Sequence, residues 1–428
     1  MKGEWTQSTV GEVADRVTKG TTPTTLGGRY VEHGISFVKV ESITEDGRIL
    51  RDKLAYIDAE TDALLPRSRL EQDDILFTIA GTIGRAALVP SWVLPANTNQ
   101  AVAIVRPKQG VVDPRFLFYL LRDECRVKQA QTRVVQSVQA NFSLGELASL
   151  EIPLPPLPTQ RAIAKILGDL DDKIELNRKM NTTLEAMARA LFQSWFVDFD
   201  PVRAKMDGRE PEGMDEETAA LWPSEFEESE MGLVPKGWEV KALPDVIAVN
   251  PQRTLKSGTI APYLDMKNLP TQGHSAVEVV EREFTSGTKF QNGDTLLARI
   301  TPCLENGKTG YVDFLDSSQI GWGSTEYIVL SPKPPLPSHF AYLLARSDEL
   351  RSHAIQNMTG TSGRQRVPSE CFKTFMLAMP PKEIAHHFEE ITTPLMTQIK
   401  SVTKETRTLA TLRDTLLPKL MSGEVSIT

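Results

Sequence analysis

Cysteine is scarce in this chain of 428 residues: Cys125, Cys303 and Cys371 are the only three, and they are too far apart for metal-ligand spacing. That argues against a disulfide framework or a zinc ribbon and fits a reducing compartment. Long apolar runs are absent as well, none approaching the ~18 residues a membrane span needs. The N-terminal Met1-Lys2-Gly3-Glu4-Trp5 lacks the apolar stretch of a signal peptide. A soluble cytoplasmic chain is expected, and its length suggests two to three domains.

Signatures of catalysis are missing too. No Gly-rich loop follows a strand and opens a helix as a nucleotide site requires. Gly307-Lys308-Thr309 has the end of a phosphate loop, but Pro302 stands where its first glycine belongs. Asn250-Pro251-Gln252-Arg253 and Asp200-Pro201-Val202 lack the second proline and the aromatic of an adenine-N6 methyltransferase clamp. The adjacent His386 and His387 point to different helix faces, a poor metal clamp. No catalytic residue, metal site or resident cofactor is expected. A net charge of −8 argues against a nucleic-acid partner. Yet residues 198–231 carry twelve acids against three bases, which leaves the remainder one charge positive.

What the chain does contain is itself, twice, at an offset of roughly 220 to 233 residues. Trp5 and Trp238 open the two copies. Ile35–Val40 corresponds to Ala261–Lys267, and Asp73–Ile79 to Gly293–Ile300. Gly84–Val89 corresponds to Gly307–Val312, Ala103–Lys108 to Ile328–Lys333, and Phe118–Arg122 to Ala341–Arg346. Matching scaffold positions with differing loops is the pattern of two modules that each read a different target, a plain gene duplication being the alternative.

A long helix follows each copy. From about Thr159 to Val197, with Thr159 as N-cap, apolar residues recur at steps of three and four: Ile163, Ile166, Leu170, Ile174, Met180, Leu184, Met187 and Leu191, with Asn177 in the stripe. From about Lys382 to Met421 the stripe is Ile384, Phe388, Ile391, Leu395, Ile399, Val402, Leu409, Leu412, Leu416 and Leu420, with a kink or break expected at Pro394 and an end marked by Pro418 and Gly423. Two such seams predict an antiparallel coiled coil. The fold class is thus α+β, two repeated α/β modules separated by two packed helices. The domains are 1–158, a spacer helix 159–197, an acidic, loosely ordered linker 198–235, 236–381, and a distal helix and tail 382–428.

The segment Leu154-Pro155-Pro156-Leu157-Pro158-Thr159-Gln160-Arg161-Ala162-Ile163-Ala164 leads into Leu167-Gly168-Asp169-Leu170-Asp171-Asp172-Lys173-Ile174, and later comes Leu191-Phe192-Gln193-Ser194-Trp195-Phe196-Val197-Asp198-Phe199-Asp200-Pro201. These stretches resemble the central conserved region of the specificity subunits of type I restriction-modification systems. Leu412-Arg413-Asp414-Thr415-Leu416-Leu417-Pro418-Lys419-Leu420-Met421-Ser422-Gly423-Glu424 resembles their distal conserved region. The resemblance covers essentially the whole chain, although Ala385-His386-His387 and Pro394 depart from the simplest pattern. It implies a non-catalytic DNA-recognition subunit whose two target recognition domains each bind half of a bipartite double-stranded site. It implies as partners two adenine-N6 methyltransferase subunits and motor-nuclease subunits, to which S-adenosylmethionine, ATP and Mg²⁺ would belong.

Base readout needs Arg or Lys for guanine and Asn or Gln for adenine, and phosphates take Lys, Arg, Ser or Thr. The candidates in the first module are Lys39, Arg85, Asn97, Asn99, Arg133, Gln136, Gln139 and Asn141. In the second they are Lys267, Asn268, Arg299, Asn306, Lys308, Arg364, Gln365 and Arg366. Arg85 and Arg299 have a structural alternative, pairing with a carboxylate such as Asp73 or Glu305. Trp195 and Phe196 are candidates for docking a methyltransferase subunit, with packing against the second module as the alternative. Two rival readings remain: an enzyme of the same defence system, which predicts activity of the isolated chain, and a protein-only coiled-coil adaptor, which predicts no salt-dependent DNA affinity.

Overall fold

A computed structural model describes residues 5–132 in full, the backbone of 133–135, and residues 142–361 and 363–425. The chain forms two compact units, residues 1–175 with 407–428 and residues 176–406. The divisions fall inside the two long helices, so each unit holds part of both.

In the first unit a four-stranded antiparallel sheet runs Ala14–Lys19, Val102–Pro107, Ile75–Thr78, Ala86–Leu88. A second sheet runs Tyr30–Val31, Ala55–Ile57, Ile35–Val38, Ala96–Thr98, its last pair parallel. A two-stranded sheet ties Thr6–Thr9 to Glu151–Leu154. The second unit repeats this plan. Its first sheet runs Ile247–Val249, Tyr327–Pro332, Thr295–Ala298, Thr309–Tyr311, and Glu239–Ala242 pairs with Met376–Met379. The second sheet again holds a parallel pair, Ile260–Leu264 with Gly321–Gly323. One edge has diverged. Thr288–Phe290 flanks the Gly321–Gly323 strand, whereas Tyr30–Val31 joins the opposite side of its sheet, against Ala55–Ile57.

The near-continuous apolar runs of the central strands follow from burial on both faces. Ile75 and Phe77, with Ala103 and Val105, face the helix Pro114–Arg122, while Leu76, Val102 and Ile104 face Val38 and Ala96 of the second sheet. Leu297, Ile328 and Leu330 alternate likewise with Leu296, Ala298 and Val329.

The first long helix is Leu157–Phe196 and the second Lys382–Met421. The first therefore starts ahead of Thr159, with Pro158 in a first turn whose N–H groups have no intrahelical partner anyway. The second continues through both Pro394 and Pro418. Pro394 lies on an exposed face, where water can satisfy the carbonyl that loses its bond. A Cβ at Gly168 would meet only the end of the half-exposed Arg115 side chain, which can move aside.

Within the first unit Arg413 Nη1 reaches Asp171 Oδ1 at 2.6 Å. Within the second, Asn177 bonds Glu405 at 2.8 Å, Asn181 bonds Thr403 at 2.9 Å, and the Phe196 ring lies 4.7 Å from that of Phe388. Numbers rise along one helix as they fall along the other, so the pairing is antiparallel, as expected. The seam is rotated from the expected stripe. Ile163, Ile174, Ile384, Phe388 and Ile399 are buried, and Leu170, Leu184, Leu191, Leu395, Leu409 and Leu416 half-buried. Ile166, Met187, Ile391 and Leu412 are exposed. Asn177 is buried, as its place in the stripe predicts, and Ala164, Leu167, Ala188 and the polar Glu185, Thr392 and Arg413 are buried beside it. Choosing the bulkiest apolar residue of each turn misplaces a seam built partly from small and polar groups.

The acidic stretch is not a loose linker. It forms the helices Asp200–Met206 and Glu216–Ala220 and the hairpin Phe226–Ser229 with Gly232–Pro235. Trp222, 2% exposed, brings it into the core of the second unit. There Trp195, also 2% exposed, meets the Trp222 ring edge-on at 5.3 Å, and Phe196 packs at 5.2 Å from Phe340. Trp195 is thus a core residue of the second unit and presents no surface for a partner to dock on, while Phe196 is half-buried against that core.

Candidate nucleic-acid interface

The repeat carries a shared frame at the ends of its central strands. Asp74 and Asp294 occupy equivalent positions, both buried. Each carboxylate accepts from the backbone N–H three residues earlier, Glu71 and Gln291, at 2.8 Å. Each also takes a two-pronged bond from an arginine, and the arginine differs between copies. Arg106 comes from the neighbouring strand, with both contacts at 2.8 Å. Arg253 comes from the segment after Ile247–Val249, its Nε 3.0 Å from Asp294. Burial raises the Asp294 pKa, against the pull of the Gln291 N–H and Arg253. At the other end of these strands Gly84 and Gly307, both with left-handed φ (99° and 72°), make the turns that the repeat had aligned.

Equivalent hydrogen bonds fix a second correspondence. Ile79 N–H donates to Ala101 O and its carbonyl accepts from Phe142 N–H, both at 2.9 Å. Arg299 N–H donates to Glu326 O at 3.0 Å and its carbonyl accepts from Val367 N–H at 2.9 Å. The backbone is the same. The side chain is a buried isoleucine in one copy and a half-exposed arginine in the other.

The sequence-chosen residues separate by what already occupies them. Asn97 is fully buried, its Nδ2 donating to Asp62 Oδ1 and Leu65 O at 3.1 and 3.0 Å and its Oδ1 accepting from Thr98 N–H. It is a core residue that cannot reach a base. Lys308 donates from Nζ to the carbonyls of Met266 and Lys267, at 2.6 and 3.2 Å, and so holds a turn. Arg85 bonds Ile43 O at 3.0 Å and Glu45 at 3.4 Å, so its carboxylate partner is Glu45 and not Asp73. Arg366 forms a two-pronged pair with Glu326 at 2.7 to 2.9 Å.

Other candidates are less committed. Lys39 sits over the Tyr30 ring at 4.4 Å, with Glu41 at 4.0 Å. Asn99 accepts from Ala101 N–H, and Asn268 reaches Glu278 at 3.5 Å. Lys267, Asn306 and Arg364 are exposed. Gln365 is half-buried and bonded through its backbone to Thr301. The Arg133 side chain, Gln136, Gln139 and Asn141 lie outside the described residues.

Arg299 combines two features. Like Arg85, it has a buried Nε without a hydrogen-bond partner among the described residues; unlike Arg85, its guanidinium makes no ion pair there, whereas Arg85 reaches Ile43 O and Glu45. It lines an open cleft of about 430 Å³ with Asn250, Gln252, Thr288, Lys289 and Thr325. Gln252, Thr288 and Lys289 were not among the sequence candidates. The string Asn250-Pro251-Gln252-Arg253, which lacks the second proline and the aromatic of a methyltransferase clamp, lines this cleft. Its fold is specific nonetheless: Asn250 has φ 52°, and its N–H and Oδ1 bond the backbone of Val329 at 2.7 and 2.9 Å.

Known proteins share this organisation. The specificity subunit of the type I restriction enzyme HindI of Haemophilus influenzae is 25% identical over 430 residues, covering 89% of this chain and 93% of that one. The MjaIX specificity subunit of Methanocaldococcus jannaschii is 26% identical over 363 residues, covering 82% and 78%. In fold, the type I restriction-modification S subunit from M. genitalium matches with a TM-score of 0.55 at 15% identity, over 100% of this chain and 98% of that one. The family model described as the type I restriction modification DNA specificity domain matches residues 2–186 and again 235–409, once for each copy of the repeat. Most of the chain is taken up by these two matches, and it belongs to the type I restriction-modification DNA specificity family.

Proposed function

We propose that this chain is the DNA-recognition subunit of a type I restriction-modification complex. Each module reads one half of a bipartite duplex target. The long helices set the gap between the half-sites, and the chain performs no catalysis itself. It works in the cytoplasm with two adenine-N6 methyltransferase subunits and, in the restriction complex, motor-nuclease subunits. S-adenosylmethionine, ATP and Mg²⁺ are cofactors of those partners. The observation that carries this reading is one scaffold built twice, with equivalent backbone bonds at Ile79 and Arg299 and different chemistry at the rim. Two different half-sites need that combination, because a rigid frame positions side chains and the side chains specify bases.

The test is methylome sequencing of a host that expresses the chain with its methyltransferase subunit, with and without this gene. A split methyladenine motif that disappears on deletion is the expected result. An unchanged methylome, together with DNA affinity that does not fall with salt, would leave the protein-only adaptor as the function.

A further inference from the structure

We propose that Arg299 is a specificity-determining residue of the second module, and that its cleft takes the major-groove edge of a guanine. This deepens the function proposed above and rests on it. The argument begins with the repeat. The backbone at Arg299 and at Ile79 makes the same two strand-end bonds. In the first module that position is filled by a side chain only 3% exposed, inside the core under the first sheet. The scaffold therefore has no structural need for a cation here.

An arginine in the second copy is a burden unless something satisfies it. Its Nε is shielded from solvent without a partner among the described residues, and a buried unpaired donor is destabilising. Glu326, whose backbone carbonyl accepts from Arg299 N–H, is engaged by the two-pronged bond from Arg366, and Asp294, at the start of the same strand, by Arg253. Neither neutralises Arg299, so the guanidinium is left for a partner outside the protein.

The cleft defines that partner. Arg299 lies on its wall with Gln252, Thr288, Lys289 and Thr325 around the opening. The Lys289 ammonium is held over the Phe284 ring at 5.1 Å, with no carboxylate pairing it among the described residues. The lining offers donors of positive charge and no free carboxylate. It suits a ligand with two adjacent acceptors, and in duplex DNA these are guanine O6 and N7 or a pair of phosphate oxygens. Arg299 hangs from the end of a central sheet strand, bonded on both sides, so its Cα is fixed by the frame. A fixed arginine in a recessed cleft suits reading a base edge, whereas exposed side chains such as Lys267 and Arg364 suit phosphate contacts.

The experiment uses the whole methyltransferase complex, with Arg299→Ile and Arg299→Lys variants. Isoleucine is the side chain this scaffold already buries at the equivalent place, so the first variant keeps the fold, which thermal unfolding checks. The wild-type complex first defines its two half-sites by methylome sequencing. If it yields no bipartite motif, the function proposed above fails, and this inference with it. Given that motif, Arg299→Ile is expected to relax a single guanine position in one half-site by about 5- to 150-fold in discrimination, leaving the other half-site unchanged. Arg299→Lys should recover part of the preference. A uniform loss of affinity across all sequences, with a shallower salt dependence, would overturn the base-reading role in favour of a phosphate contact. Unchanged motif and affinity would overturn any DNA contact by Arg299.

Discussion

Replacing Asp171 with alanine should destabilise the first unit by about 3 to 5 kcal/mol, the range for leaving a buried charge without its counterion. Asp171 lies on the first long helix, where two cations converge on it. Arg413 Nη1 is 2.6 Å from Oδ1, and Arg122 Nη1 is 3.5 Å from Oδ2. The Tyr119 hydroxyl donates to Oδ2 at 2.7 Å. The Arg122 and Arg413 side chains are only 7% and 6% exposed. Burial already lowers the Arg122 pKa, and Asp171 is the largest opposing influence. Alanine removes the shared acceptor, strands the Arg122 guanidinium and a buried phenol, and leaves Arg413 with Asp414 alone, at 2.8 Å. Asparagine keeps an acceptor for Tyr119 and should lose less. Because the chain has two units, the measurement is native-state hydrogen exchange of the helix Pro114–Arg122 and the strand Ile75–Thr78, compared with strands of the second unit. Exchange should accelerate in the first unit only. A double-mutant cycle with Arg413→Leu should give a coupling of about 1 to 3 kcal/mol. A loss below about 1 kcal/mol for Asp171→Ala would show that water solvates these cations and that the network does not hold the helix register.

His339 gives a pH dependence with a definite sign. It is 3% exposed, bonds Thr392, and burial pushes its pKa down to about 4 from the usual 6.5. Between these values the unfolded chain binds a proton that the folded chain refuses. Stability of the second unit is therefore full above about pH 6.5 and falls by up to about 3 kcal/mol towards pH 4. Urea midpoints for wild type and His339→Gln across that range should converge at the acid end, and parallel curves would refute the assignment. Trp195→Ala should destabilise the second unit by about 3 to 5 kcal/mol through the lost core packing. If the variant unfolded at the same urea concentration but failed to bind the methyltransferase subunit, the docking role would return. Asn97→Ala, which removes the donor to the Leu65 carbonyl and to Asp62 Oδ1 while Asp62 keeps Arg69, should weaken the first unit by about 2 kcal/mol and leave the methylation motif intact. A changed motif would place Asn97 at the DNA after all.

Pattern alone determined much of this protein. The duplication is visible because Ile75–Thr78 and Thr295–Ala298 must be apolar on both faces wherever a central strand lies between two layers, and the same constraint preserves their spacing. The two long helices follow from unbroken three-and-four periodicity, and their antiparallel pairing from having two such seams in one chain. Helix rotation was not legible. Ile166 and Leu167 are both apolar but point about 100° apart on a helix of 3.6 residues per turn, and only the partner surface decides which of the two faces is covered. Nor was the folding of the acidic stretch legible: its charge suggested a solvated linker, yet Phe199, Val202, Trp222 and Val234 bury it in the core of the second unit, Trp222 packing against Trp195 and Trp238. The candidate site was read least well for the same reason. Residue type says that Asn97, Lys308 and Arg299 can all donate hydrogen bonds. Which of them has donors to spare depends on the groups that folding places beside each. Asp62 and Leu65 claim the first and Met266 and Lys267 the second, while the third lines an open cleft and its Nε has no hydrogen-bond partner among the described residues.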